Sequence, residues 1–167
     1  MSDRAASFVA RLEVVERRLA AHAARPVPSA QTDPDPATGE RWTAGQVWGH
    51  LAEILPYWTT QIRLVQGGAP GELKGFGRVP SDPGRLEGIE RGVRESADVL
   101  MDRVRAATLD LGEFLRSMDE RGWTARGRHV TLGEKDVGSI VEDYMIGHLE
   151  SHADQLDGLS AEGSISA

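Results

Sequence analysis

The chain has 167 residues, a formal charge of −7 and no cysteine. That length suits one domain spanning residues 1–167, with a core able to stand without staples. The missing cysteines exclude a disulfide framework, a nucleophilic protein thiol and a thiolate metal ligand. The acidic balance, without any local cluster of Lys or Arg, argues against nucleic acid and anionic membrane as partners. No apolar run approaches a membrane span, and the first residues lead into a charged amphipathic segment rather than a signal core. A cytoplasmic protein is therefore expected.

Phe8, Leu12, Val15 and Leu19 form an apolar stripe opposed by charged residues, which predicts a first helix over about residues 4–24. Residues 25–41 carry Pro26, Pro28, Pro34 and Pro36 and read as a surface connector. Thr43 and Gln46 form a capping box, with Trp42 and Val47 in the positions of a hydrophobic staple. They open a second helix over about 43–66, whose inward stripe is Val47, Leu51, Ile54, Trp58, Ile62 and Val65. Pro56 is expected to kink it, and Gly67 and Gly68 end it. Residues 66–84 form a glycine- and proline-rich loop around Phe76, read as a crossover connection with a lid as the alternative.

A third helix over about 83–107 follows, capped by Ser81 or Asp82, with Leu86, Ile89, Val93, Leu100 and Val104 on one face. Residues 109–118 either extend it or form a short helix of their own. Residues 122–130 are a connection in which Trp123 seals one end of the core. His129, among arginines, is expected to be exposed, as is His22. A second capping box, Thr131 with Glu134, predicts a last helix over about 132–159, after which the tail is expected to fray. Four amphipathic helices without a strand pattern predict an all-α fold, a four-helix bundle with long crossover loops.

Candidate chemistry lies in the histidines. His148 and His152, four residues apart, project from one face of the last helix into its apolar stripe. Each imidazole must place one donor and one acceptor nitrogen. They either share a divalent metal or bond separately to carbonyls or carboxylates across the core. His50 lies on the inward stripe of the second helix, and a glycine precedes both it and His148, which would let helices approach closely. Three imidazoles would leave a tetrahedral ion one open position. Glu53, three residues after His50, is the carboxylate placed to act as outer partner or base, or else is an exposed helix glutamate. A zincin is excluded, because Leu149 stands where that motif needs glutamate, and Glu150 points about 200° away around the helix.

The runs Trp-Thr-Ala-Gly-Gln-Val-Trp-Gly-His-Leu at residues 42–51 and Gly-His-Leu-Glu-Ser-His-Ala-Asp-Gln-Leu at 147–156 resemble the DinB/YfiT-like superfamily of metal-binding four-helix bundles. The family pattern of one histidine on the second helix and H-x-x-x-H on the last maps onto His50, His148 and His152. The resemblance implies a divalent ion, zinc or nickel foremost, and a homodimer. For some members it implies transfer or isomerisation using a small thiol such as bacillithiol or mycothiol. The expected function is accordingly a metal-dependent enzyme that presents a small thiol, such as mycothiol, to an electrophilic substrate. The alternatives are a hydrolase using metal-bound hydroxide and a non-catalytic metal-binding or dimerising bundle.

Overall fold

The computed structural model describes residues 2–36, 38–69 and 71–165, with side chains through residue 160. Helix α1 (Asp3–Ala23) starts on Ser2, whose hydroxyl accepts from Ala5 N. Helix α2 (Ala44–Gln66) starts on the Thr43–Gln46 capping box and runs unbroken across Pro56. A short strand β1 (Lys74–Phe76) precedes α3 (Pro83–Arg94), α4 (Ala97–Ser117) and α5 (Glu120–Thr124). Strands β2 (Arg126–His129) and β3 (Gly133–Asp136) lead into α6 (Val137–Val141), a π-helical turn (Glu142–Ile146) and α7 (Gly147–Ile165). The bundle consists of α1, α2, α4 and the continuous α6–α7 rod. Both α1 and α2 pack against α4 and against α7, so the first two helices lie across a diagonal of the bundle. Their inward stripes, including Leu19, Leu51, Leu55, Ile62, Leu111 and Leu149, make one core. Each such side chain is worth about 1.5–3 kcal/mol on burial. Trp123, 1% exposed and stacked on Phe8, closes one end of that core. No helix among the described residues is long and apolar enough to cross a membrane.

A small sheet corrects the expectation that the chain has no strands. Its order is β1-β2-β3, with β1 parallel to β2 and β2 antiparallel to β3. The strands are only three or four residues long and consist of Lys-Gly-Phe, Arg-Gly-Arg-His and Gly-Glu-Lys-Asp. No apolar alternation could reveal them. The hairpin also corrects the start of the last helix. Thr131 and Glu134 do not form a capping box, because Gly133 at φ +79° turns the chain back into β3. Asp136 is the cap instead, its carboxylate accepting from Ser139 N at 2.7 Å. At the other end the helix continues past Leu159 to Ile165 rather than fraying there. Residues 166 and 167 of the tail lie outside the described residues.

The third predicted helix is two. Glu95 and Ser96 adopt extended conformations between α3 and α4, and residues 109–118 belong to α4, which ends at Ser117. Leu86 and Val93, expected inward, are 42% and 59% exposed. Helix α3 instead turns Gly88 and Gly92 onto α2, against Gly45 and Gly49. A Cβ added at Gly49 would lie 2.5 Å from Gly88 O and 2.7 Å from Gly92 N. The glycine before His50 therefore serves the α2–α3 crossing, not an approach to α7. Gly147 has a third role, since a Cβ there would lie 2.9 Å from Glu142 O, the carbonyl that accepts from Gly147 N in the π turn.

Three residues of α1, Arg11, Arg18 and His22, pair with acidic groups of the last helical rod; Arg18 reaches Asp154 at 2.6 Å and Asp157 at 2.5 Å. Arg11 donates to Glu150 at 2.9 and 2.7 Å and to Glu142 at 2.8 Å. His22, expected exposed, has its side chain only 7% accessible, with Nε2 2.7 Å from Asp157 Oδ1. The Arg11 guanidinium holds the Glu150 carboxyl below the usual value of 4.5. Its contribution is present above that value and is lost as the pH falls through the lower folded one. Arg11→Met is therefore expected to cost about 0.5–1 kcal/mol near neutrality, allowing for the partial exposure of the pair. In urea melts at a series of pH values, the gap between wild type and variant should narrow below pH 4.5. Gly49→Ala is expected to destabilise the chain by about 1–3 kcal/mol through overpacking. Gly158→Ala, on α7 with nothing within 4 Å, should instead gain about 0.5–1 kcal/mol. Thermal melts of the two variants would show opposite signs.

Candidate metal centre

Helix α2 delivers His50 between Val47 and Ile54 of its inward stripe, and α7 delivers His148 and His152 one turn apart. The structure brings all three together. Nε2 of His148 lies 2.9 Å from Nε2 of His50 and 2.9 Å from Nε2 of His152. Each residue offers one ligand atom, and all three atoms fall within 4.8 Å of one another. This is the only such cluster of His, Asp or Glu among the described residues. Leu149 is fully buried and Glu150 faces α1 through Arg11, so neither enters the site.

The outer partners decide the tautomers. His152 Nδ1 lies 2.7 Å from Gln155 Oε1. His50 Nδ1 lies 2.8 Å from Glu53 Oε1, at an angle too oblique for a full hydrogen bond, and has no other partner among the described residues. Both neighbours are acceptors, which favours the proton on Nδ1 and the lone pair on Nε2. Glu53 is thus not an exposed helix glutamate. It is turned inward, hydrogen-bonded by Arg78, whose guanidinium also lies 3.9 Å from the Tyr57 ring centre. Burial pushes the Glu53 carboxyl up while Arg78 pulls it down. Trp42 stacks on His152 at 5.7 Å and meets the edge of His50 at 5.1 Å.

Burial keeps the three rings neutral. It holds His50 and His148 well below the ordinary value of 6.5, helped by the neighbouring His152 and by Arg85. It brings His152 to about 4, against the opposing pull of Gln155. The lone pairs of His50 and His152 then both face His148 Nε2, which carries at most one proton and can satisfy at most one of them. A divalent cation would satisfy all three, so the donor set fits a metal better than it fits a set of core histidines.

The cluster forms the floor of a cavity of about 380 Å³. Part of its wall comes from segments read as connectors in sequence. Residues 25–41 supply Thr32, Asp35 and Glu40, and the 66–84 segment supplies Arg78, Val79 and Pro80. His129, expected exposed, is 6% exposed and lines the same cavity beside Trp58 and Tyr144. The signal missed was its strand, on which Arg126 and Arg128 face solvent while Gly127 and His129 face inward. A larger depression of about 680 Å³ between α2, α4 and α5 holds no ligand cluster.

The model of the DinB superfamily matches residues 11–156. The chain belongs to that superfamily. Its fold is similar to YfiT from Bacillus subtilis, described as a probable metal-dependent hydrolase with an unusual four-helix bundle topology. The TM-score is 0.73 at 16% identity, over 97% of this chain and 89% of that one. The mycothiol-dependent maleylpyruvate isomerase is similar with a TM-score of 0.66 at 13% identity, over 93% of this chain and 63% of that one. An uncharacterized protein from Clostridium difficile 630 matches with a TM-score of 0.64 at 8% identity, over 96% and 98% of the two chains. No curated protein matches the chain in sequence. At these identities the likenesses establish the fold. The DinB bundle thus carries a three-histidine group between α2 and α7.

Removing an outer partner should weaken metal binding without unfolding the bundle. Glu53→Ala and Gln155→Ala are each expected to lower zinc affinity by about 10–100-fold. Competition titration against a chromophoric chelator, with helicity followed alongside, checks this.

Proposed function

We propose that this DinB-superfamily chain is a metal-dependent enzyme that transfers or isomerises substrates by means of a small thiol of the mycothiol or bacillithiol kind. His50, His148 and His152 would hold the ion, with zinc or nickel foremost, both being ions that imidazole donors suit. The observation that carries the reading is the convergence of three neutral imidazoles at the floor of an open cavity. A divalent cation there would supply positive charge that favours a thiolate over a thiol. With no cysteine in the chain, the sulfur nucleophile has to arrive as a cosubstrate. Similarity of fold to an isomerase described as mycothiol-dependent supports the same reading.

The protein's own residues would contribute orientation and exclusion of water. Gln155 and Glu53 hold the ring protons away from the ion, and Trp42 fixes the His152 ring by stacking. Arg78 keeps Glu53 in place and stands at the cavity wall with Arg85, itself held by Glu40 at 2.9 Å. The chain would work as a homodimer.

Hydrolysis is the second reading, favoured by the description of YfiT as a probable hydrolase. The two separate on thiol dependence. Elemental mass spectrometry of the purified protein is expected to find about one ion per chain. That ion should be lost in His50→Ala and His148→Ala while helicity is retained. Turnover of electrophilic substrates should then require added thiol. Turnover without thiol would support hydrolysis instead, and a wild type that takes up neither zinc nor nickel would remove the basis of both readings.

A further inference from the structure

His129 closes β2, and the hairpin after it binds one of its ring nitrogens. Nδ1 accepts from Thr131 N at 3.2 Å and from Leu132 N at 3.3 Å. Two backbone donors on one nitrogen fix the lone pair there, so the ring proton sits on Nε2. Neighbouring aromatic rings hold the imidazole as well. It stacks on Tyr144 at 5.8 Å and on Trp58 at 6.2 Å, while Phe76 meets it edge-on at 5.3 Å. Gly77, at φ +83°, lies against the Cδ2–Nε2 edge, where any Cβ would collide with the ring. Nε2 has no hydrogen-bond partner among the described residues and is not sealed from solvent. The ring lines the cavity.

The surrounding chemistry narrows what the N–H can meet. Trp58 and Tyr144 are stacked at 4.7 Å and 15° and give the cavity a flat aromatic wall. The nearby cations are already matched: Arg78 by Glu53, Arg85 by Glu40, and Lys135 by Asp143 at 3.0 Å. No surplus positive charge selects a dianion. A neutral imidazole can still polarise a carbonyl through its N–H, and burial of His129 disfavours the charged form. We propose that His129 is the polar recognition residue of the cavity, donating its Nε2–H to the carbonyl oxygen of a flat, mainly apolar substrate that lies against Trp58 and Tyr144. This rests on the cavity being the substrate site of the reading above.

The test uses the full chain as purified, with no thiol added, so that a failed turnover assay and a failed binding assay are separate results. Acetophenone and α-methylstyrene have nearly the same shape and differ in bearing a carbonyl or a methylene group. Tryptophan fluorescence titration should give the ketone about tenfold tighter binding, the worth of one hydrogen bond in a partly buried site. Long-range ¹H–¹⁵N spectra of histidine-labelled protein should place the His129 proton on Nε2 and shift that signal with acetophenone only. His129→Phe keeps the aromatic stack and should erase the preference, while His129→Gln, which returns an N–H near the Nε2 position, should restore part of it. The proposal is overturned by a proton on Nδ1, by a preference that survives in His129→Phe, or by failure of both probes to bind. If His129→Phe does not fold, the wild-type spectra decide alone.

Discussion

Three imidazole lone pairs aimed at one point inside an apolar bundle are a constraint that the rest of the fold has to meet. The rings stand nearly perpendicular to one another, at 72°, 81° and 80°. This geometry brings nitrogens together instead of stacking faces. Removal from water keeps the rings neutral, and neutrality is the form in which an imidazole binds a cation. The same burial would leave unpaired polar atoms if nothing joined them, a cost that grows in a low-dielectric interior. A cation shared by the three nitrogens would remove that cost. The elements around the cluster can be understood by how they hold the rings in place.

Helix α3 is the first of these elements, although it contributes no ligand. Its Gly88 has no Cβ, and one placed there would come within 2.9 Å of Glu53 Cβ. The space lets Glu53 turn toward His50 Nδ1 with Arg78 behind it. Packing on one face of α2 thereby helps to set a tautomer on another. The π turn is the second. It contains Tyr144 and Met145 and ends at Gly147, directly before His148, and its wide ring is tolerated because Gly147 leaves room for the Glu142 carbonyl.

Long-period information was legible in the sequence, and short-period information was not. The stripes of α1, α2 and the last helix, the Thr43–Gln46 capping box and the inward placement of His50, His148 and His152 follow from local spacing, and the structure has them. The Thr131–Glu134 pattern has the same residue types as a capping box and yet makes none, because Gly133 admits a left-handed turn that a helix forbids. The α3–α4 break was hidden for a similar reason. Its apolar spacing continues through Glu95 and Ser96, but the contact with α2 is made by glycines, which carry no hydrophobic signal.

His129 is the instructive failure. The arginines just before it suggested exposure, an inference that holds for helices and coils, where neighbours share surroundings. On a strand, neighbours face opposite ways. Arg126 and Arg128 point out because Gly127 and His129 point in. Recognising the strand required its partner, β1, which pairs Lys74 with Gly127 across a distant stretch of chain. The site is thus assembled by two kinds of order. Helical periodicity places the nitrogen cluster, while non-local pairing of two irregular segments brings His129 beside it. Tyr144 joins the two parts: it lies one turn before His148 and stacks on both Trp58 and His129. A change in the hairpin can therefore alter what the cavity recognises while the helices keep the three nitrogens in place.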